Sequence, residues 1–203
     1  RLGASALMQG LADGFFIAPS TVGGYLGAGK FEPVAAGDPE FGAAVKAAQE
    51  RMNRILGVKG KKTPTEFHRA LGNVMWNDCG LGRTEANLKK ALKKIPEIRE
   101  EFWSDVTVPG ADKDFNQTLE KAMKVADFLE FGELLVKDAL ERRESCGAHY
   151  REESVTPEGE AKRDDDNFSH TNVWMYAGEG KAAALNKEPL TFEHIKMAER
   201  SYK

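Results

Sequence analysis

Several short stretches carry residue types that could do chemistry. Gly24-Tyr25-Leu26-Gly27-Ala28-Gly29-Lys30 has the Gly-x4-Gly-Lys spacing of a loop that cradles phosphates with backbone amides. Phe31 follows instead of the Ser or Thr that would bind magnesium, and Pro33 stands where the supporting helix should begin. No hydrophobic strand precedes the run, so it reads as an exit loop. Cys146-x-x-His149 has the look of half a metal site, but zinc wants about four ligands and no second pair stands at ligand spacing. Asp164-Asp165-Asp166 reads as a solvated turn, or as an anchor for Arg151 or Arg163. The histidines, His68, His149, His170 and His194, fall in different segments, and spacing alone makes none of them catalytic. Cys79, at a helix end, reads as a packed or idle thiol.

Composition narrows the options. The 203 residues are 41% hydrophobic and 30% charged, a balance that buries a core. A net charge of −3 does not point to nucleic acid. No run approaches the roughly 18 apolar residues of a membrane span. Two cysteines in a chain of this length suit a reducing compartment better than a disulfide framework. The chain opens without an initiator Met, in what reads as a helix already under way. It is therefore expected to be a piece of a longer protein, with any upstream motif out of view.

The elements that must position these residues are mostly helical. Residues 4–16 predict a helix with Ala6, Leu7, Leu11, Phe15 and Phe16 near one face, ended by Pro19. A short helical piece from Ser20 leads to the Gly23–Gly29 exit. Asp38 and Pro39 open a helix to about Leu56. Thr63-Pro64-Thr65-Glu66 is a capping-box start for a helix bearing Phe67, Leu71, Val74 and Met75. A second helix runs from about Thr84 to Trp103 on the stripe Leu88, Leu92, Ile95, Ile98 and Phe102, with Pro96 expected to kink it. The longest spans about Phe115 to Glu144, with Phe115, Leu119, Ala122, Ala126 and Leu129 as its seam. Its second half is apolar on most sides, so it should lie at the centre. Three such helices with short connections make an antiparallel bundle. Beyond Gly147 the expectation is an irregular segment, with a strand in Asn167–Ala177 and an extended stretch near 190–200. Trp174, Tyr176 and Phe192 should fold this segment back onto the bundle.

Three segments together resemble the flavoprotein subunits of succinate dehydrogenases and fumarate reductases. Arg1-Leu2-Gly3-Ala4-Ser5-Ala6-Leu7 is similar to the family's RLG-x-NSL stretch, with Ser5-Ala6 in place of Asn-Ser. HRALGNVMWNDCGLGR (68–83) and LKKALKKIPEIREEFW (88–103) resemble its C-terminal three-helix domain. Glu144-Ser145-Cys146-Gly147-Ala148-His149-Tyr150-Arg151 and Arg163-Asp164-Asp165-Asp166-Asn167-Phe168 resemble its ESRGAH-x-R and RDD-x-N segments, with Cys146 replacing an Arg. The opening looks closest to the variant of some anaerobic bacteria.

The resemblance implies a mainly α fold: a spectrin-repeat-like antiparallel three-helix bundle at 63–146. Residues 1–30 would be the C-terminal remnant of the FAD-binding domain, 31–62 a linker and connecting helix, and 147–203 an extended segment packed back on the chain. It implies FAD, attached upstream, that exchanges a hydride with a C4 dicarboxylate whose two carboxylates are clamped by arginines and histidines. An arginine relays the proton on the opposite face. By resemblance Arg1 binds substrate, and the backbone of Ser5, Ala6 and Leu7 faces the flavin. Implied partners are an iron-sulfur subunit and a membrane anchor subunit, at the cytoplasmic side of a bacterial inner membrane, in anaerobic respiration or the tricarboxylic acid cycle. The chain alone is expected to bind no flavin and to be inactive. L-aspartate oxidase and a non-catalytic helical docking module are the competing readings. The direction, succinate oxidation or fumarate reduction, is not set by these residues.

Overall fold

A computed structural model describes residues 4–111, 115–178 and 180–198. Its first element is a continuous helical rod: α1 (Ala4–Ala12), a π turn (Asp13–Ile17) and α2 (Ala18–Gly27). Pro19 does not end this helix, contrary to expectation. The wider π turn immediately before it opens the backbone ring that a proline inside regular α-helix would clash with. The apolar face expected to pack does not do so; Leu7, Leu11, Phe15 and Phe16 are all exposed, Phe15 to 77%.

Helix α3 (Pro39–Gly57) starts at Asp38, as its sequence predicts. The Asp38 carboxylate, however, accepts from the amide of Ala35 behind it (3.1 Å) and caps nothing. Only the far end of α3 reaches the core, through Ile55.

The bundle follows. Helix α4 (Pro64–Asp78) opens on the full capping box: Thr63 accepts from the Glu66 amide (3.3 Å) while Glu66 accepts from the Thr63 amide (2.7 Å). Helix α5 (Glu85–Asp105) is capped by Thr84 and continues through Pro96. Helix α6 (Gln117–Glu141) is capped by Asn116, whose side chain accepts from Leu119 (3.0 Å).

Contacts set the directions. Phe67 meets Phe102 edge-on at 5.4 Å, and Asp78 meets Lys90, so α4 and α5 are antiparallel. Arg99 pairs with Glu133 and Arg83 reaches His149, so α6 reverses again. Helices α4 and α6 then run together, and Gly132 lets them approach: a Cβ there would stand 3.4 Å from a Leu71 methyl. The core is Phe67 and Leu71 from α4, Leu88, Ile95 and Phe102 from α5, and Leu119, Val125, Leu129 and Val136 from α6.

Two expectations for α6 are corrected. Phe115 lies before the Asn116 cap, outside the helix, and is exposed. Phe131 points outward as well, so the helix is buried along one broad stripe rather than all round.

The C-terminal segment is built from short pieces. Strand β1 (Gly82–Arg83) pairs in parallel with β2 (Tyr150–Arg151). Helix α7 (Asp165–Phe168) occupies the start of the stretch expected to be strand, which narrows to β3 (His170–Met175). Its antiparallel partner is β4 (Ala184–Pro189), not the 190–200 stretch. The sequence ALNKEP lacks apolar alternation because both faces of β4 are largely open to solvent. Asp138 of α6 accepts from Asn172 (2.7 Å) and Trp174 (2.8 Å), and Lys187 pairs with Glu141 (3.1 Å). These bonds hold the segment on the bundle; Tyr176 and Phe192, expected to help fold it back, stay exposed.

Candidate functional site

The opening motif divides at the edge of the described residues. Arg1 lies outside them. The backbone of Ser5, Ala6 and Leu7 forms the first turn of α1, where helix amides have no intrahelical acceptor. The Leu7 side chain is exposed. The phosphate-loop look-alike is not a cradle: Gly24 to Gly27 are helical, with their amides committed to α2.

The densest polar arrangement lies instead where the end of α6 meets β1 and β2. Glu144, Ser145 and Arg151 are buried there, the last only 2% exposed. Arg151 Nη1 donates to the carbonyls of Ala139 (3.1 Å), Leu140 (3.4 Å) and Arg142 (3.4 Å). It thereby satisfies orphan acceptors at a helix C-terminus, the end whose dipole favours a cation. Its Nε donates to Glu153 (3.1 Å). Ser145 Oγ accepts from the Arg151 amide (2.8 Å) and donates to the Arg151 carbonyl (3.1 Å). Glu144 accepts from Arg142 (2.6 Å) and from the Asp164 amide (3.1 Å).

His149 sits within this cluster. Its Nε2 donates to the Arg142 carbonyl at 2.8 Å, and its Nδ1 lies 2.9 Å from Arg83 Nη1. Burial first, and then the charges of Arg83, Arg151 and Arg142, outweigh the bond to the Arg142 carbonyl and hold its pKa below the ordinary 6.5. Both ring nitrogens are engaged, so Cys146-x-x-His149 is not half of a metal site. It is a tight turn closed by Cys146 N to His149 O (2.9 Å) and His149 N to Cys146 O (3.1 Å), with Gly147 at φ +61°. Among the described residues, no three His, Cys, Asp or Glu side chains gather at a spacing that would hold a metal ion.

The acidic run is partly an anchor. Asp165 pairs with Arg163, and Asp164 caps α7 through the Asn167 amide (3.2 Å). Arg151 does not join it, because the α6 carbonyls and Glu153 take its donors. A cleft of about 510 Å³ beside the run carries Arg143, Lys162 and Arg163 against Glu153, Asp165 and Asp166, with no single sign of charge. His68 stacks near Phe128, His170 is buried beside Phe168, and His194 is exposed next to Glu193. Burial pushes the Cys79 thiol up and leaves it a packed core residue. Sequence reasoning missed Arg83, Arg142 and Ser145 as members of the cluster. Ser145 lies inside the ESCGAHYR stretch and Arg142 just before it, but nothing local points to Arg83.

Comparisons with known proteins agree with this architecture. The family described as fumarate reductase flavoprotein C-term matches residues 68–202. The fumarate reductase flavoprotein subunit of Proteus vulgaris is 28% identical over 138 residues, which is 68% of this chain and 22% of that protein. The succinate dehydrogenase flavoprotein subunit of Bacillus subtilis is 25% identical over 202 residues, 100% of this chain and 33% of that protein. A structure of E. coli quinol fumarate reductase superimposes with a TM-score of 0.69 at 23% identity, covering 85% of this chain and 28% of that one, which is a likeness of fold. The chain thus spans between 22% and 33% of the length of these relatives. With its family match running from within α4 to beyond β4, the chain belongs to the fumarate reductase flavoprotein C-terminal family, in the succinate dehydrogenase and fumarate reductase group of flavoprotein oxidoreductases.

Proposed function

We propose that this chain supplies the end of the FAD-binding domain (1–30), a connecting helix (31–62), the three-helix bundle (63–146) and a C-terminal clasp (147–203) to a flavoprotein subunit. That subunit interconverts succinate and fumarate and passes electrons to or from an iron-sulfur subunit held by a membrane anchor, at the cytoplasmic side of the membrane. The observation that carries the reading is the family match over 68–202. No helix among the described residues is long and apolar enough to cross a membrane, which fits a peripheral place in such a complex.

FAD, when bound, gives or takes a hydride. The first-turn amides of α1 suit the polar edge of its ring system, since they have no acceptor within that helix. Arg1, three residues before α1, offers a planar fork of donors to one substrate carboxylate and stays protonated throughout the working pH range. A dicarboxylate entering a closed site needs a fixed partner for each charge, because an unpaired buried charge costs several kcal/mol.

The test uses the full-length subunit with flavin loaded. Succinate-dependent dye reduction and fumarate-dependent dye oxidation are expected, and the 203-residue chain alone should show neither, nor bind flavin. Turnover of L-aspartate instead would assign the chain to L-aspartate oxidase. A flavin-free full-length protein with no turnover would leave a docking module. Arg1→Lys keeps the charge and loses the fork, at a cost of about 2–4 kcal/mol, so kcat/KM should fall by roughly 30- to 1000-fold. A lysine variant within about twofold of wild type would remove Arg1 from the substrate site.

A further inference from the structure

His149 stands between a donor and an acceptor that fix its protonation state. Arg83 Nη1 faces Nδ1 at 2.9 Å, and a guanidinium nitrogen only donates. Nδ1 must therefore offer a lone pair. The Arg142 carbonyl, 2.8 Å from Nε2, only accepts, so Nε2 must carry the hydrogen. Both bonds exist together only in the neutral Nε2–H tautomer. A second proton would have to sit on Nδ1, aimed at the Arg83 N–H.

The surroundings favour that neutral form. Cationic groups face the ring from three directions: Arg83 on β1, Arg142 just past α6 and Arg151 on β2. The carboxylates nearby are committed elsewhere. Glu144 holds Arg142 at 2.6 Å, Glu153 holds Arg151 at 3.1 Å, the charge of Glu85 acts on Arg151, and Glu152 lies against Gly82. None of them bonds the imidazole, so an imidazolium would gain no ion pair while losing the Arg83 bond. That bond, with the Glu152 amide to Arg83 carbonyl bond (3.0 Å), joins the α4–α5 connection to the C-terminal segment.

We propose that His149 is a pH-sensitive latch, whose protonation breaks the Arg83 link and releases β2 and its flanking turn from β1. Opening exposes an imidazole of ordinary affinity, near 6.5, whereas the closed form binds its proton only at lower pH. Well above pH 6.5 neither form is protonated and the latch is at its most closed. As pH falls from there toward the closed-form pKa, the open form binds the proton first. The opening equilibrium then rises by up to about tenfold per pH unit, and levels off below the closed-form value.

The experiment is hydrogen exchange on the full chain at about pH 7.5 and 5, corrected for intrinsic rates. Protection at residues 82–84 and 149–154 should fall, at a rate no steeper than about tenfold per pH unit, while the α4–α6 core is unchanged. His149→Gln, neutral at both pH values, should abolish the difference, whereas His170→Gln and His194→Gln should keep it. Equal corrected protection at both pH values, or the same loss in His149→Gln, would overturn the proposal. If the glutamine variant does not fold, imidazole 15N shifts of the wild type decide. An Nδ1–H tautomer, or titration at or above 6.5, excludes the latch, and an Nε2–H tautomer titrating lower supports it.

Discussion

Arg151 closes the C-terminus of α6 by donating to the Ala139 carbonyl at 3.1 Å from a position only 2% exposed. A cation at a helix C-terminus that also satisfies orphan carbonyls is a structural device. Arg151→Ala would strand those carbonyls and remove the packing of a buried stem, at a cost of about 2–4 kcal/mol. Arg151→Lys should recover part of this, because it keeps the charge but offers one point of contact rather than a fork. Chemical denaturation of the three proteins is the check. An alanine variant within about 0.5 kcal/mol of wild type would show that the α6 end does not depend on this cap.

The turn between α3 and α4 is tighter than its sequence suggests. Gly60, Lys61 and Lys62 donate backbone bonds to Val106 and Asp105 at the end of α5, at 3.0–3.2 Å. A Cβ on Gly60 would fall 1.9 Å from the Asp105 carbonyl carbon and oxygen. No rotamer relieves that contact, because the clash is with backbone. Gly60→Ala should therefore destabilise the bundle by roughly 1–3 kcal/mol. Gly57→Ala, with open space at its Cβ, should be far milder. Thermal melts of the pair check the contrast, and equal melting points would contradict it.

The bundle is legible in the sequence because its signals are local. Thr63 and Glu66 stand three residues apart, and the Leu88 to Phe102 stripe repeats at helical spacing. The polar cluster is not legible, because Arg83 arrives from 66 residues away and nothing in the 82–84 stretch names its partner. The α1–α2 rod defeats sequence reading for a different reason. A π turn has no residue signature, so Pro19 looks like a stop. Strand β4 is silent because an exposed strand needs no apolar alternation, and the ladder to β3 alone defines it. Of the opening motif, Ala4 to Leu7 fall within the described residues, and the assignment of the Ser5–Leu7 backbone to flavin stays a proposal.

Glu66 makes the start of α4 sensitive to acid. The Thr63 amide first, then the Thr63 hydroxyl and the charge of Lys62, hold its pKa below the usual 4.5. A depressed carboxyl contributes stability that is present above its unfolded pKa and is lost as pH falls through the folded one. Glu66→Gln keeps a capping-box acceptor without the charge. Wild type should therefore melt higher than the variant at pH above the ordinary 4.5, and the gap should narrow as pH falls below it. Melting curves across that range test it; a constant gap would mean that the Glu66 charge adds nothing to the cap.

The last prediction concerns Asp138, which ties the β3–β4 hairpin to α6. One carboxylate oxygen accepts from both Asn172 (2.7 Å) and Trp174 (2.8 Å). These donors lie two residues apart on β3, so they share the face turned to the helix. Hydrogen bonds to a charged acceptor are worth about 1.5–3 kcal/mol, well above neutral ones. Otherwise the hairpin is tied by Arg142, which donates to the His170 carbonyl at the start of β3, and by the Lys187–Glu141 pair at the surface, while Val173, Met175 and Tyr176 are exposed. Asp138→Ala should accordingly loosen the hairpin while sparing the bundle, whose core lies on the stripe through Val136 and Ala139. Limited proteolysis should cut within 170–190 several times faster in the variant, with the 64–141 core intact. Trp174 emission should shift to the red as its indole loses the carboxylate and gains water, a change readable against Trp76 and Trp103 by also substituting Trp174→Phe. If cleavage and emission both match wild type, the hairpin is held by backbone and packing, and Asp138 is a bystander.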